Sequence, residues 1–309
     1  MDIFLQQILN GLVLGSVYAL VALGYTMVYG ILQLINFAHG DVLMVGAMTA
    51  VSVVIGLQKA YPDIPSIALL VIAILAAVVV CVIVSLLMER IAYRPLRNAP
   101  RLAPLITAIG LSIVLQTIAM IIWKPNPRVF PDLLPNDPIE IGPAVLAPKQ
   151  ILILVVSTIM MVGLILLVNK TKLGRSMRAT AENPRIAGLM GVNSNYVIAA
   201  TFAIGAALAG VAGVLVGMNY NIVQFTMGFI PGLKAFTAAV LGGIGNLGGA
   251  VLGGILLGVI ESLGAGYIGD LTGGFLGSQY QDIFAFTVLI IVLIFRPSGL
   301  MGERVADRA

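Results

Sequence analysis

The stretch PSIALLVIAILAAVVVCVIVSLLM, residues 65–88, contains no charged side chain. A helix needs about 20 apolar residues to cross the hydrocarbon core of a bilayer. Similar runs recur along the whole chain: 60% of its 309 residues are hydrophobic and only 10% are charged, against about 25% charged in soluble domains. We therefore predict an all-α polytopic membrane protein.

The apolar runs define nine candidate transmembrane helices. They cover residues 3–29, 40–57, 65–88, 102–122, 150–168, 196–218, 229–243, 248–268 and 280–296. The two that flank the glycine-rich stretch near residue 245 are short or broken, which is consistent with a re-entrant hairpin in place of two full crossings. We predict about eight or nine transmembrane helices with broken or re-entrant segments. The loops leave no room for a soluble domain, so we predict one transmembrane domain over residues 1–309, with a polar segment at about 169–195.

The basic residues indicate how the chain is oriented. Of the 17 Lys and Arg residues, 12 lie in three segments, at 89–101, 170–185 and after residue 295, whereas the Pro-rich segment 123–149 has balanced charges. Short basic loops stay in the cytoplasm, which predicts an external 123–149 loop, a periplasmic N-terminus and a cytoplasmic C-terminus. The net charge of +4 is thereby explained by topology, and no nucleic-acid partner is indicated.

Two segments resemble each other. INFAHGDVLMVGAMTAV begins at Ile35 and MGFIPGLKAFTAAVLGG begins at Met227, and each follows a long helix rich in small residues. The predicted topology places them at opposite faces of the membrane, which is the pattern of an inverted repeat with broken helices. Chance similarity between two glycine-rich membrane segments is the alternative.

Five polar residues lie in or beside the predicted spans and form a candidate translocation path: Asn36, His39, Asp41, Lys234 and Glu261. The first three either satisfy backbone groups at a helix break or line a transport route. Charges inside a membrane are costly and tend to pair. The last two are therefore expected to form a structural ion pair or to mark where a zwitterionic solute passes, although Glu261 can also reach the outer interface. We expect the first four to face the bundle interior.

The sequence contains no recognisable catalytic or cofactor motif. The single His39 and the single Cys81 cannot by themselves form a metal site, a disulfide or a catalytic triad. No GxxxxGK[ST] phosphate loop is present. We therefore expect neither an enzyme nor a cofactor-binding protein.

The stretch LGGIGNLGGAVLGG, residues 241–254, contains glycines at the GxGxxG spacing of dinucleotide-binding loops. That motif requires a preceding strand in a βαβ unit, whereas membrane helices are predicted here. Small residues four positions apart instead favour close helix packing. Two such sets are Gly245, Gly249 and Gly253, and Gly205, Ala209, Gly213 and Gly217.

A short helix is predicted inside the polar segment LGRSMRATAENPRIAGLMGVN, residues 173–193. Asn183 suits the N-cap, Pro184 the first turn and Gly191 the left-handed position after the end. The helix would present Ile186, Leu189 and Met190 on one face. Its apolar face fits either the lipid headgroup boundary or a groove on another protein.

Four stretches together resemble one family over essentially the full length. They are ALVALGYTMVYGILQLINFAHGDV at 19–42, ERIAYRPLR at 89–97, GRSMRATAENPRIAGLMGVN at 174–193 and GLKAFTAAVLGGIGNLGGAVLGG at 232–254. The sequence is similar to the LivH-type permeases of branched-chain amino acid ABC importers. The resemblance implies a permease domain in the bacterial inner membrane that carries branched-chain or other apolar amino acids. It also implies four partners: a homologous second permease, two cytoplasmic ATP-binding subunits that hydrolyse the ATP, and a periplasmic amino-acid-binding protein.

The resemblance also implies a role for the polar segment as the site of coupling to the ATPases. The coupling residues would be Ala181, Glu182, Asn183, Pro184, Ile186, Leu189, Met190 and Gly191. The coupling motif of many ABC importers begins Glu-Ala-Ala, whereas this chain has Ala181-Glu182-Asn183. Three alternatives stay open: a urea or short-amide permease of the same family, an ion-coupled secondary transporter and a structural membrane scaffold.

Overall fold

The computed structural model describes residues 2–97, 99–100, 102–135, 137–142, 144–273, 275 and 280–302, which leaves out Arg101, Arg304 and Arg308 of the basic segments. The helices are α1 Asp2–Leu32, α2 His39–Ala60, α3 Ser66–Met88, α4 Leu102–Trp123, α5 Pro148–Lys170, α6 Lys172–Glu182, α7 Pro184–Leu189, α8 Ser194–Tyr220, α9 Phe229–Gly242, α10 Leu247–Leu271 and α11 Gln281–Phe295. A π-helical turn, Glu89–Tyr93, continues α3. The strands are β1 Arg128–Val129, β2 Ile139–Ile141, β3 Ala144–Leu146 and β4 Ile222–Val223.

Seven helices of the described part, α1 to α5, α8 and α10, are long and apolar enough to cross a membrane. The apolar helices α9 and α11 are shorter, with 14 and 15 residues. At 1.5 Å per residue, α9 spans about 21 Å, which is less than the roughly 30 Å of a bilayer core. The prediction of an all-α polytopic membrane protein is confirmed, and of the two helices beside residue 245 only α9 is too short to cross.

The helices divide into an inner and an outer set. In α1, α2 and α8, between 72% and 89% of the most apolar stretch is buried, whereas in α3, α4 and α5 the share is 22–28%. Helix α1 contacts both α8 and α10. The outer helices bear rows of exposed isoleucine, leucine and valine side chains, which suit contact with lipid or with another membrane subunit.

Glycines bring α1 and α10 into backbone contact. A Cβ atom added to Gly15 would lie 2.7 Å from the Cα atom of Ile255, and one added to Gly254 would lie 2.5 Å from the backbone nitrogen of Ala19. Because no side chain separates the two backbones, any larger residue at these positions must push the helices apart.

Gly15→Val should therefore destabilise the bundle by about 1–3 kcal/mol, because the overpacked side chain has backbone atoms on the facing side. We expect the melting temperature in detergent to fall by about 5 °C. Gly163→Val is the matched control. Gly163 also lies within a long helix, but no atom of the described residues outside its own helix backbone lies within 4 Å of the position that a Cβ atom would take. Equal melting temperatures for the two variants would contradict the packing role of Gly15.

Of the glycines predicted to pack against another helix, Gly217 and Gly245 do not: Gly217 lies against the side chains of Phe130 and Val223. Gly249 lies against Gly242, Gly253 lies against Ala238, and Gly213 lies against α2 at Leu43. The prediction for Gly245 is wrong: it lies in the turn between α9 and α10 with φ of 98°, and its Cβ direction is open. It supplies a left-handed backbone conformation there and not a helix contact.

The two similar segments meet inside the bundle. The chain is non-helical in two places, between Leu32 and His39 and between Tyr220 and Phe229. The second of these contains the short strand β4. A Cβ atom on Gly40, in the first turn of α2, would lie 2.9 Å from the Cα atom of Gly232 in α9. The N-terminal turns of the two helices are therefore packed directly together. The inverted repeat itself stays a prediction.

Short strands connect the loops at one end of the bundle. Strand β1 pairs antiparallel with β4, joining the loop after α4 to the loop after α8, and β2 pairs with β3 just before α5. We call this the hairpin end. The opposite end carries α6 and α7 and is called the α7 end.

Candidate functional site

Helix α7 forms as the sequence predicts. The Asn183 side chain accepts hydrogen bonds from the backbone nitrogens of Arg185 and Ile186 at 3.0 and 3.1 Å. Gly191 has φ of 84°, and the backbone nitrogen of Val192 donates to the carbonyl of Ala187 at 3.0 Å. A side-chain cap and a left-handed glycine therefore fix both ends, with Met190 as the C-cap residue.

The apolar residues of α7 point away from the rest of the subunit. Ile186, Leu189 and Met190 are 58%, 88% and 81% exposed, whereas Ala187 is buried. Of the other predicted coupling residues, Ala181 is half-buried, and Glu182, Asn183, Pro184 and Gly191 are exposed. An exposed cluster of three large apolar side chains on one short helix marks an interaction surface.

Helix α6 attaches α7 to the bundle. The prediction from the sequence was only of a polar segment there and missed this helix. The Thr171 hydroxyl caps α6 by accepting from the backbone nitrogen of Gly174 at 3.1 Å. Met177 and Thr180 are buried, and the Arg178 guanidinium donates to the carbonyl of Val168 in α5. Leu173 and Met177 at i and i+4 behind a threonine N-cap were a signal for this helix.

A polar network links the α7 end to the interior. Arg97 forms an ion pair with the buried Glu89 and donates to the side chain of Asn195, in the first turn of α8, at 2.6 Å. Further in, the hydroxyl of Tyr93 donates to the side chain of Asn36 at 2.7 Å. The π-helical turn thus contacts both the helix that follows α7 and the break between α1 and α2.

Asn36, His39 and Asp41 are all buried, which confirms that they face the interior. In the described part of the chain, the side chains of Asn36 and Asp41 accept hydrogen bonds from the side chains of Tyr93 and Gln116, at 2.7 and 2.9 Å. Whether these residues satisfy the helix break or line a transport route stays a prediction. The His39 ring packs edge-on against Tyr25 at 4.9 Å. Among the described residues, its Nε2 atom has no hydrogen-bond partner.

Lys234 and Glu261 form the predicted ion pair, with 2.7 Å between Nζ and Oε1. The Glu261 side chain is only 1% exposed, so the alternative in which it reaches the outer interface is wrong. Tyr18 donates to the same Oε1 at 3.3 Å. A third charged group was missed: Asp282 Oδ1 lies 2.8 Å from Nζ of Lys234. The signal was available, because Asp282 is the only acidic residue in the predicted span 280–296.

A cavity of about 980 Å³ opens beside this cluster, between α4, α8 and α9. Tyr18, Tyr220 and Lys234 contribute polar groups to its wall, and Gln116 connects it to Asp41. The rest of the wall is mainly apolar: Ile109, Ile113, Val216, Ile222, Met227, Phe229, Ile230 and Pro231. An apolar cavity with a few polar groups is typical of a binding site for a small molecule.

In the part of the chain that the structure describes, no three His, Cys, Asp or Glu side chains come together as a metal site. The single Cys81 is buried, and its thiol donates to the carbonyl of Val42 at 3.2 Å. Its contacts are therefore those of a packed core residue.

A bundle of long apolar helices with a buried ionic cluster beside an open cavity is typical of a multi-pass membrane protein with an internal binding site. The chain belongs to the family of permease components of branched-chain amino acid transport systems, whose family model matches residues 7–293.

Relatives resemble the chain over almost its whole length. It is 48% identical over 305 residues to the high-affinity branched-chain amino acid transport system permease protein BraD of Pseudomonas aeruginosa, covering 97% of this chain and 96% of BraD. It is 41% identical, with the same coverage, to the corresponding LivH protein of Escherichia coli. A probable branched-chain amino acid permease, LivH of Methanocaldococcus jannaschii, is 29% identical over 97% of this chain and 94% of its own length.

Proposed function

We propose that the chain is the membrane-spanning permease subunit of an ATP-driven importer in the bacterial inner membrane. The solutes are branched-chain or other apolar amino acids, as the names of BraD and LivH suggest. The observation that carries the proposal of ATP-driven transport is α7, a capped helix whose Leu189 and Met190 side chains are 88% and 81% exposed. Such a surface fits a groove on a partner protein.

The partners in this proposal are a homologous second permease, two cytoplasmic ATP-binding subunits and a periplasmic amino-acid-binding protein. The ATPases would dock on α7 through the coupling residues 181–191. This places the α7 end in the cytoplasm, in agreement with the basic residues of that region, and the N-terminus in the periplasm. The translocation path would then be lined by the five candidate residues Asn36, His39, Asp41, Lys234 and Glu261.

Movement at α7 would reach this path through contacts already described. Helix α6 connects α7 to α5, while Arg97 connects the π-helical turn to the start of α8. Tyr93 then reaches Asn36 at the break before α2. A short chain of packed and hydrogen-bonded side chains therefore joins the docking surface to the interior.

The purified subunit alone is expected to show no ATP hydrolysis, because the sequence lacks a phosphate-binding GxxxxGK[ST] loop. The measurement is phosphate release in detergent and in nanodiscs, with the assembled complex as the positive control. Hydrolysis that persists after contaminating ATPases are removed would contradict the assignment of this activity to the partners.

Uptake by the reconstituted complex tests the proposed function directly. Proteoliposomes that contain both permeases and both ATPases should accumulate leucine, isoleucine and valine when ATP and loaded binding protein are supplied. Urea and acetamide serve as competing solutes. Accumulation of the amides without any amino acid would overturn the substrate assignment, and amino-acid uptake that needs an ion gradient and no ATP would overturn the mechanism.

A further inference from the structure

We propose that Lys234, which lies in the wall of the cavity between α4, α8 and α9, and Asp282, its ion-pair partner, form a recognition site for the two charged ends of an aliphatic amino acid. Lys234 would bind the carboxylate of the ligand and Asp282 its ammonium group. This site rests on the proposed function, because amino-acid transport supplies the ligand.

The charge arrangement around Lys234 is complementary to a zwitterion that displaces Asp282. One ammonium group pairs with two carboxylates, Glu261 at 2.7 Å and Asp282 at 2.8 Å. Two negative groups beside one cation in a low-dielectric interior repel each other. A zwitterion inserted between Lys234 and Asp282 makes the charges alternate, since its carboxylate faces the lysine and its ammonium faces the aspartate.

The two carboxylates differ in their access to a ligand. The Glu261 side chain is 1% exposed and the Asp282 side chain 36% exposed. Tyr18 also donates a hydrogen bond to Glu261, and its ring lies 5.7 Å from the lysine Nζ. Glu261 is therefore the permanent partner of Lys234, and Asp282 is the partner that a ligand displaces. A lysine ammonium has three donors, so Lys234 keeps its bond to Glu261 during this exchange.

The cavity supplies the complementary surface for an aliphatic side chain. Lys234 lies in its wall, and the isoleucines at 109, 113 and 230 provide apolar surface. Its volume of about 980 Å³ is at the upper end of the range for small-molecule sites, roughly 300–1,000 Å³. An uncharged amide has no cationic group to pair with Asp282 and no carboxylate to pair with Lys234, so the site favours amino acids over urea.

Asp282→Asn tests the site in the assembled transporter. The variant keeps the Lys234–Glu261 pair, so the complex should assemble normally, but the ligand ammonium loses its charged partner. At subsaturating loaded binding protein, leucine uptake should fall about tenfold or more, since a hydrogen bond to a charged group is lost. Asp63→Asn removes an exposed carboxylate from the loop after α2 and should leave uptake unchanged. Normal uptake by Asp282→Asn would overturn the inference.

A leucine analogue that carries a diazirine in its side chain locates the site independently of transport. Irradiation of the full complex should attach the label to cavity residues such as Ile113 or Ile230, and excess leucine should prevent this. The double variant Lys234→Gln/Glu261→Gln removes the permanent pair together and should lose the label. Labelling outside the cavity would overturn the inference, regardless of how much leucine the variants take up. If the unmodified complex takes up no amino acid at all, the proposed function itself is overturned.

Discussion

Leu189→Asp in α7 is expected to abolish most amino-acid uptake by the assembled transporter while the subunit still folds. Leu189 is 88% exposed, so its replacement removes nothing from the core of the bundle. At a docking groove the aspartate would bury an unpaired charge and remove apolar contact. A loss of 2 kcal/mol or more at such a position corresponds to about thirtyfold weaker binding.

The measurements are leucine uptake, copurification of the ATP-binding subunits, and stimulation of ATP hydrolysis by loaded binding protein. All three should fall together. Ala179→Asp introduces the same charge at an exposed position of α6 and serves as the control. If α7 instead lies on lipid headgroups, Leu189→Asp will leave the ATPases bound and cause only a mild transport defect. A variant that assembles and transports normally would refute the coupling role.

Lys234→Gln is expected to destabilise the folded subunit by about 3–5 kcal/mol, because it leaves the Glu261 carboxylate buried without its cation. Lys234→Gln/Glu261→Gln should recover much of this loss, since it removes the fully buried carboxylate together with its cation and leaves only Asp282, whose side chain is 36% exposed, without a partner. Thermal unfolding in detergent measures both effects. Lys59→Gln, at an exposed position of α2, controls for the loss of a lysine. A double variant no more stable than Lys234→Gln would show that the pair does not act as a unit.

Local sequence signals predicted the spans and α7. Long apolar runs decide where helices cross a membrane, and the Asn183 cap and the glycine at position 191 decide where a short helix begins and ends. These signals depend only on neighbours along the chain. For the same reason the hydropathy pattern located α9 and α10 but could not assign the separate role of Gly245 in the turn between them.

The three-dimensional site depended on contacts between distant segments. The sequence marked Lys234 and Glu261 as costly charges, but the pairing with Asp282 depends on how α9, α10 and α11 pack together. The cavity similarly requires residues of α4, α8 and α9 to come together in one wall. The free-energy cost of burying a charged side chain in the membrane indicates that it needs a partner. Only the fold determines which residue that partner is.

The contact between α1 and α10 has a consequence for biogenesis. Gly15 and Gly254 touch in the finished bundle but are separated by about 240 positions of chain, which a ribosome takes about 10 to 50 s to synthesise. During that interval the glycine face of α1 has lipid or the insertion machinery as its neighbour. The subunit therefore completes its interior among the last steps of synthesis, and a nascent chain interrupted before α10 would expose the face of α1 that quality-control proteases can recognise.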